Sequence, residues 1–131
     1  MSDRARHEEW AFTALRIIVG VMLACHGFSK LFGVFGPHMP IASQMGVGGI
    51  IELAGGVLVA LGLFTRIAAF VVSGEMAVAY FQFHWKLDLS HWKFLPLVNQ
   101  GELAVAYCFV FLFICAYGPG PISLDRKLRG V

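Results

Sequence analysis

Four predominantly apolar runs, each close to 20 residues, dominate the chain and leave few folds open to it; they fall near residues 11–32, 45–64, 67–85 and 97–117. About 20 residues of helix, rising 1.5 Å each, cover the roughly 30 Å hydrocarbon core of a bilayer. The runs lack the strict apolar–polar alternation of transmembrane strands. Lipid offers backbone amides and carbonyls no partner outside the segment, so each run is expected to be helical. The expectation is an all-α membrane protein: a single domain over residues 1–131, built as an antiparallel bundle of four transmembrane helices, with a tail from residue 118. Composition agrees, since only 14% of residues are charged where soluble domains carry about a quarter. The first run lacks an A-x-A-like cleavage site and continues through His26 and Lys30, so it is read as a retained helix and not a signal peptide.

The connections differ. Thr65-Arg66 is expected to be a tight turn joining helices two and three. The segments 32–46 and 84–99 are longer; the second holds Trp85, Trp92, His84 and His91 near Lys86 and Lys93, the mixture that anchors helix ends at a membrane interface. GPGPISLDRKLRGV ends the fourth run with Pro and Gly and offers Ser123 as a cap for a short basic tail. Arg4, Arg6, Arg16, Arg66, Arg126, Lys127 and Arg129 fall on one side of the four spans, against Lys30, Lys86 and Lys93 on the other. That bias places both termini in the cytoplasm. No basic cluster is dense enough to argue for nucleic acid.

Inside the spans the charges are sparse. GEMAVAY at 74–80 and GELAVAY at 101–107 each carry a glutamate in an Ala/Val/Tyr setting. Glu75 lies eight residues into the third run, about 12 Å along a helix and close to mid-bilayer. Glu52 and Glu102 lie seven and five residues into theirs, and His26 and Lys30 share one face of helix one as an i, i+4 pair. Asn99 is i−3 from Glu102 and Gln82 is i+7 from Glu75, each extending a polar face. A charge at the centre of a membrane helix costs about 2.5 to 3.5 kcal/mol on insertion scales, so the three glutamates are expected to face inward and pair with Lys30, His26 or, from below, Arg16. Three acids against one certain base leave excess negative charge, which burial relieves by keeping one glutamate neutral. The division expected is that Glu102 pairs with Lys30 and Glu75 holds or relays a proton. Polar contacts that merely fix the packing of a bundle are the alternative. Gly20, Ala24 and Gly27 on helix one, with Gly55, Gly56 and Ala60 on helix two, are expected to let those helices approach closely. Cys25, Cys108 and Cys115 show no CxxC or Cys/His metal spacing and are read as packing residues.

The elements RIIVGVMLACHGFSKLFG, GGIIELAGGVLVALGLFTRIAAF, NQGELAVAY and GPGPISLD occur in that order, and together they resemble the DoxX family of four-helix membrane proteins over about residues 16–125. The resemblance implies Arg16, His26, Gly27, Lys30, Glu52, Gly56, Gly62, Arg66, Asn99, Gly101, Glu102, Ser123 and Asp125 as signature positions, with Glu75 less clearly among them. It also implies a multi-pass protein of the bacterial inner membrane. The family takes its name from subunits of a complex that passes electrons from sulfur compounds to quinone, and relatives act in redox and thiol stress beside soluble enzymes. The function expected is therefore a membrane component of a quinone-linked oxidoreductase, with quinone as cofactor and a site of Arg16, His26, Lys30, Glu52, Glu75, Asn99 and Glu102. The partners expected are the lipid bilayer and soluble redox proteins, with self-association left open. A proton- or solute-conducting module and a non-catalytic anchor for soluble enzymes are the rival classes; ion flux in liposomes or a co-purifying soluble subunit would favour them in turn.

Overall fold

The computed structural model describes residues 1–34 and 36–130; Phe35, in the first outer connection, and Val131 lie outside the described residues. The regular elements are helical throughout: α1 (Asp3–Phe32), α2 (Gln44–Leu61), α3 (Thr65–Ala79), α4 (Pro96–Asn99), α5 (Glu102–Tyr117) and α6 (Leu124–Arg129). A π-helical turn, Tyr80–Trp85, continues α3, and Ser90–Trp92 forms a single 3₁₀ turn. α1, α2 and the continuous stretch Thr65–Trp85 are long and apolar enough to cross a membrane, while α5 is apolar but shorter, at 16 residues.

Local chemistry explains where these bounds depart from the apolar runs. α1 begins two turns before residue 11 because the Ser2 hydroxyl accepts from the Ala5 N–H and Arg4 pairs with Glu8 one turn on; a polar helical start is invisible to a hydropathy count. Thr65-Arg66 is not the turn between helices two and three. The link is Gly62, Leu63 and Phe64, with φ of 71° at Gly62 and 49° at Phe64, and Thr65 already opens α3. The fourth run is not one helix either. Gln100 takes a left-handed conformation at φ 59°, and the Asn99 side chain accepts the Gly101 N–H at 2.8 Å, closing an Asx-type turn that separates α4 from α5.

The long helices alternate in direction around a ring. Gly20 of α1 sits over Gly56 and Ala60 of α2, so close that a Cβ at Gly20 would lie 2.7 Å from the Gly56 carbonyl oxygen. Gly27 meets Gly49 and Leu53 one layer further along. Gly55, expected on the same seam, faces α3 instead, where Val72 fills the space that a Cβ would take. α3 runs along α5: the Ser73 hydroxyl donates to the Cys108 carbonyl at 2.8 Å, and the Arg66 guanidinium donates to the Cys115 and Ala116 carbonyls, each at 2.8 Å. α1 reaches α5 through aromatic rings, Phe12 on Tyr117 at 4.1 Å and His26 near Tyr107 at 6.2 Å. Leu23, Val59, Val72, Phe111 and Ile114 are completely buried at the centre, whereas Ile18, Ile67, Phe70 and Phe109 stand exposed around the outside. In lipid that apolar exterior needs no further cover.

The start of α1 and the whole of α6 lie at one end of the bundle. Asp125, on α6, bridges back to the link after α2: its N–H donates to the Gly62 carbonyl, and its carboxylate accepts from the Phe64 and Thr65 N–H groups at 2.8 and 2.9 Å. Ser123 does cap α6, accepting from the Arg126 N–H at 3.2 Å.

Candidate functional site

At the other end of the bundle, the close seam between α1 and α2 carries an ion pair. Lys30, in the last turn of α1, reaches across to Glu52 of α2, with Nζ 2.7 Å from Oε1. Gly49 makes this reach feasible, since a Cβ there would come 3.1 Å from the Lys30 Cβ. Glu52 is 3% exposed, so the carboxylate relies on that lysine for its charge balance. From α3, Glu75 approaches the same level, its Oε1 3.0 Å from where a Cβ on Gly48 would stand. Two glycines on α2 thus clear space for the two long charged side chains that flank it.

A cavity of about 530 Å³ opens between α1, α2, α3 and α5 and is lined by His26, Lys30, Glu52, Glu75 and Tyr107. Leu23, Ile51, Met76 and Leu103 supply apolar wall. Three buried oxygens at the site, Glu52 Oε2, Glu75 Oε2 and the Tyr107 hydroxyl, have no hydrogen-bond partner among the described residues. Leaving a buried polar group unpaired costs about 1 to 3 kcal/mol, so three such oxygens in one cavity make it the chain's candidate site. His26 is more exposed and stands at the rim, its ring edge-on to Tyr107.

The structure brings together four of the seven residues expected at the site, His26, Lys30, Glu52 and Glu75, and leaves three outside. Arg16 lies at the opposite end of the bundle, 2% exposed, donating to the Pro119 carbonyl at 2.5 Å and the Ala60 carbonyl at 3.4 Å. Its guanidinium ties the GPG turn to α2. Asn99 donates to the Tyr80 hydroxyl at 3.1 Å and the Lys93 carbonyl at 2.8 Å, so it organises the outer connection. Glu102 is the exposed first residue of α5. The Lys30–Glu102 pairing expected from depth is therefore replaced by Lys30–Glu52, because the break at Gln100 puts Glu102 at a helix start and not a turn inside one. Gln82 bonds the Gln44 side chain instead of extending the Glu75 face. Tyr107 is the residue that sequence reasoning passed over. It closes GELAVAY, and its signal was a hydroxyl inside an otherwise apolar helix.

Residues 11–85 match the DoxX family. An uncharacterized protein of Haemophilus influenzae is 38% identical over 139 aligned positions, covering 97% of this chain and 97% of that relative. No solved structure matches the chain. With the family match extending over more than half its length and the relative aligned nearly end to end, the chain belongs to the DoxX family of membrane proteins.

Proposed function

We propose that the chain crosses the bacterial inner membrane four times, with both termini in the cytoplasm, and serves as the quinone-binding component of a redox system. The observation that carries this reading is the cavity itself: mostly apolar walls around unpartnered Glu75 and Tyr107 oxygens, with Lys30 alongside. Its volume of about 530 Å³ falls in the usual range for small-molecule sites, ample for a substituted aromatic ring whose isoprenoid tail continues into lipid. These residues fit a quinone head group, since the Tyr107 hydroxyl and the free Lys30 protons can donate to ring carbonyls. A bound quinone would supply two-electron chemistry that also takes up two protons. Within the chain, Glu75 holds a proton at Oε2, next to the site, and Glu52 fixes Lys30 so that its remaining N–H bonds point at the cavity. Electrons come from a soluble partner.

A second reading is favoured by one feature, the two carboxylates served by a single lysine: such an excess of acid at mid-membrane also suits a proton- or cation-conducting path. Organic extraction and mass spectrometry of gently purified protein separates the two. The quinone reading expects quinone in stoichiometric amount, diminished in Tyr107→Phe. Phospholipid without quinone, together with proton flux in liposomes that Glu75→Gln abolishes, would replace it with the conduction reading.

A further inference from the structure

A second cavity, of about 600 Å³, lies at the opposite end of the bundle, between the start of α3, the end of α5 and α6. Arg66, Arg126 and Arg129 line it, with Glu9 and Asp125 as its acids. The Asp125 carboxylate is already engaged by the Phe64 and Thr65 N–H groups. Arg129 stands 4.0 Å from it, at the limit of an ion pair, and packs its guanidinium over the Phe64 ring at 4.1 Å. Arg66 is bound to helix-end carbonyls and has no carboxylate partner among the described residues. Arg126 is exposed and makes no side-chain hydrogen bond or ion pair among them. The buried Arg16 nearby likewise contacts only carbonyls. This end of the bundle therefore holds more guanidinium charge than its own acids neutralise.

What adjoins the cavity is apolar. Ile67 and Phe70, one turn apart on α3, are 69% and 65% exposed, and Phe113 and Tyr117, one turn apart on α5, are also exposed. Phe113 and Tyr117 lean on Phe12 of α1, so the apolar surface that leads away from the arginines is that of Ile67 and Phe70, with Ile67 and Tyr117 at the cavity itself. An occupant matching both parts carries an anionic head and long apolar chains. We infer that the cavity binds the head group of one anionic phospholipid, its phosphate oxygens held by the forked donors of Arg126 and Arg129 with Arg66 behind them, and its acyl chains lying over Ile67 and Phe70 on α3. The apolar strip distinguishes a lipid from a free phosphate, which would have no use for it. This site is separate from the cavity assigned to quinone and stands without that assignment.

The test uses the full chain in phosphatidylcholine nanodiscs, with and without phosphatidylglycerol. Native mass spectrometry of the wild-type protein is expected to retain one phosphatidylglycerol in preference to phosphatidylcholine, with higher thermal stability in the mixed discs. Arg126→Gln alone, a change at an exposed and unpartnered side chain, should lower that preference about fivefold, and R126A/R129A by about the square of that factor. Equal retention of both lipids by the wild type, or unchanged retention by Arg126→Gln, would overturn the proposal. So would stabilisation of equal size by inorganic phosphate in pure phosphatidylcholine discs, which would assign the cavity to a soluble anion.

Discussion

Lys30 and Glu52 show how much of the interior is decided by single side chains. Gly49 leaves room for the lysine, and the pair at 2.7 Å leaves the lysine 23% and the glutamate 4% exposed at the side chain. Glu52→Ala strands the Lys30 charge in a largely desolvated position, with an expected loss of about 3 kcal/mol. Glu102→Ala removes only an exposed carboxylate at a helix N-terminus, with an expected loss of about 0.5 kcal/mol. Unfolding of both variants in mixed micelles measures the difference, and equal losses would mean that Glu52 does not carry the Lys30 charge. Insertion cost alone predicted that all three intramembrane glutamates turn inward, and for Glu52 and Glu75 the chain does place them at the cavity. It failed for Glu102 because depth was counted along a helix that Gln100 interrupts. Asn99-Gln100-Gly101 carried the signal for that turn, but Asn99 was read as part of a polar face.

The elements are joined by contacts that sequence spacing cannot reveal. Phe64, the residue before α3, offers no side-chain cap, and the missing acceptor comes from Asp125, sixty-one positions away on α6. Burial alone would raise the Asp125 carboxyl, but the N–H groups of Thr65 and Phe64, with Arg129 nearby, more than reverse this and hold it below the ordinary carboxylate range. A depressed folded value means that the stabilisation is present in full above the unfolded value, about 3.9, and is lost as pH falls through the folded one. Asp125→Asn should therefore lower stability at neutral pH by about 1 to 2 kcal/mol and flatten the loss seen on acidification below about pH 4. Denaturation of both proteins across that interval tests it; parallel curves would show that the carboxylate charge is not what holds α6 to α3. The GPG..S.D element pointed to these positions through the family resemblance. The local reading identified Ser123 as a cap and gave Asp125 no task, since an N-cap supplied by a distant helix leaves no local pattern.

At the scale of the whole molecule, the alternating directions of α1, α2, α3 and α5 bring Ser2, the Gly62–Phe64 link and α6 to one end, and the segment from Lys86 to Lys93 to the other. That arrangement follows from contacts between helices and is independent of charge counting, yet it sorts the cations in the same way: the arginine-rich end carries Arg4, Arg6, Arg66, Arg126, Lys127 and Arg129. A bilayer orients short loops by their Lys and Arg content, so this end is expected in the cytoplasm and the Trp-rich connection outside. Side-chain bonding decides which positions can report on this orientation. Ser2 caps α1 and Ser90 bonds Asp88, so cysteine at either would disturb what it reports. His7 and Leu89 are exposed and free of such bonds, and serve better in a background where Cys25, Cys108 and Cys115 are alanine. In intact spheroplasts a membrane-impermeant maleimide should label Leu89→Cys and spare His7→Cys until the membrane is permeabilised. Labelling of His7→Cys from outside would invert the orientation. Labelling of both from outside would mean that the two ends of the bundle do not face opposite compartments, and that the short α5 does not complete a fourth crossing.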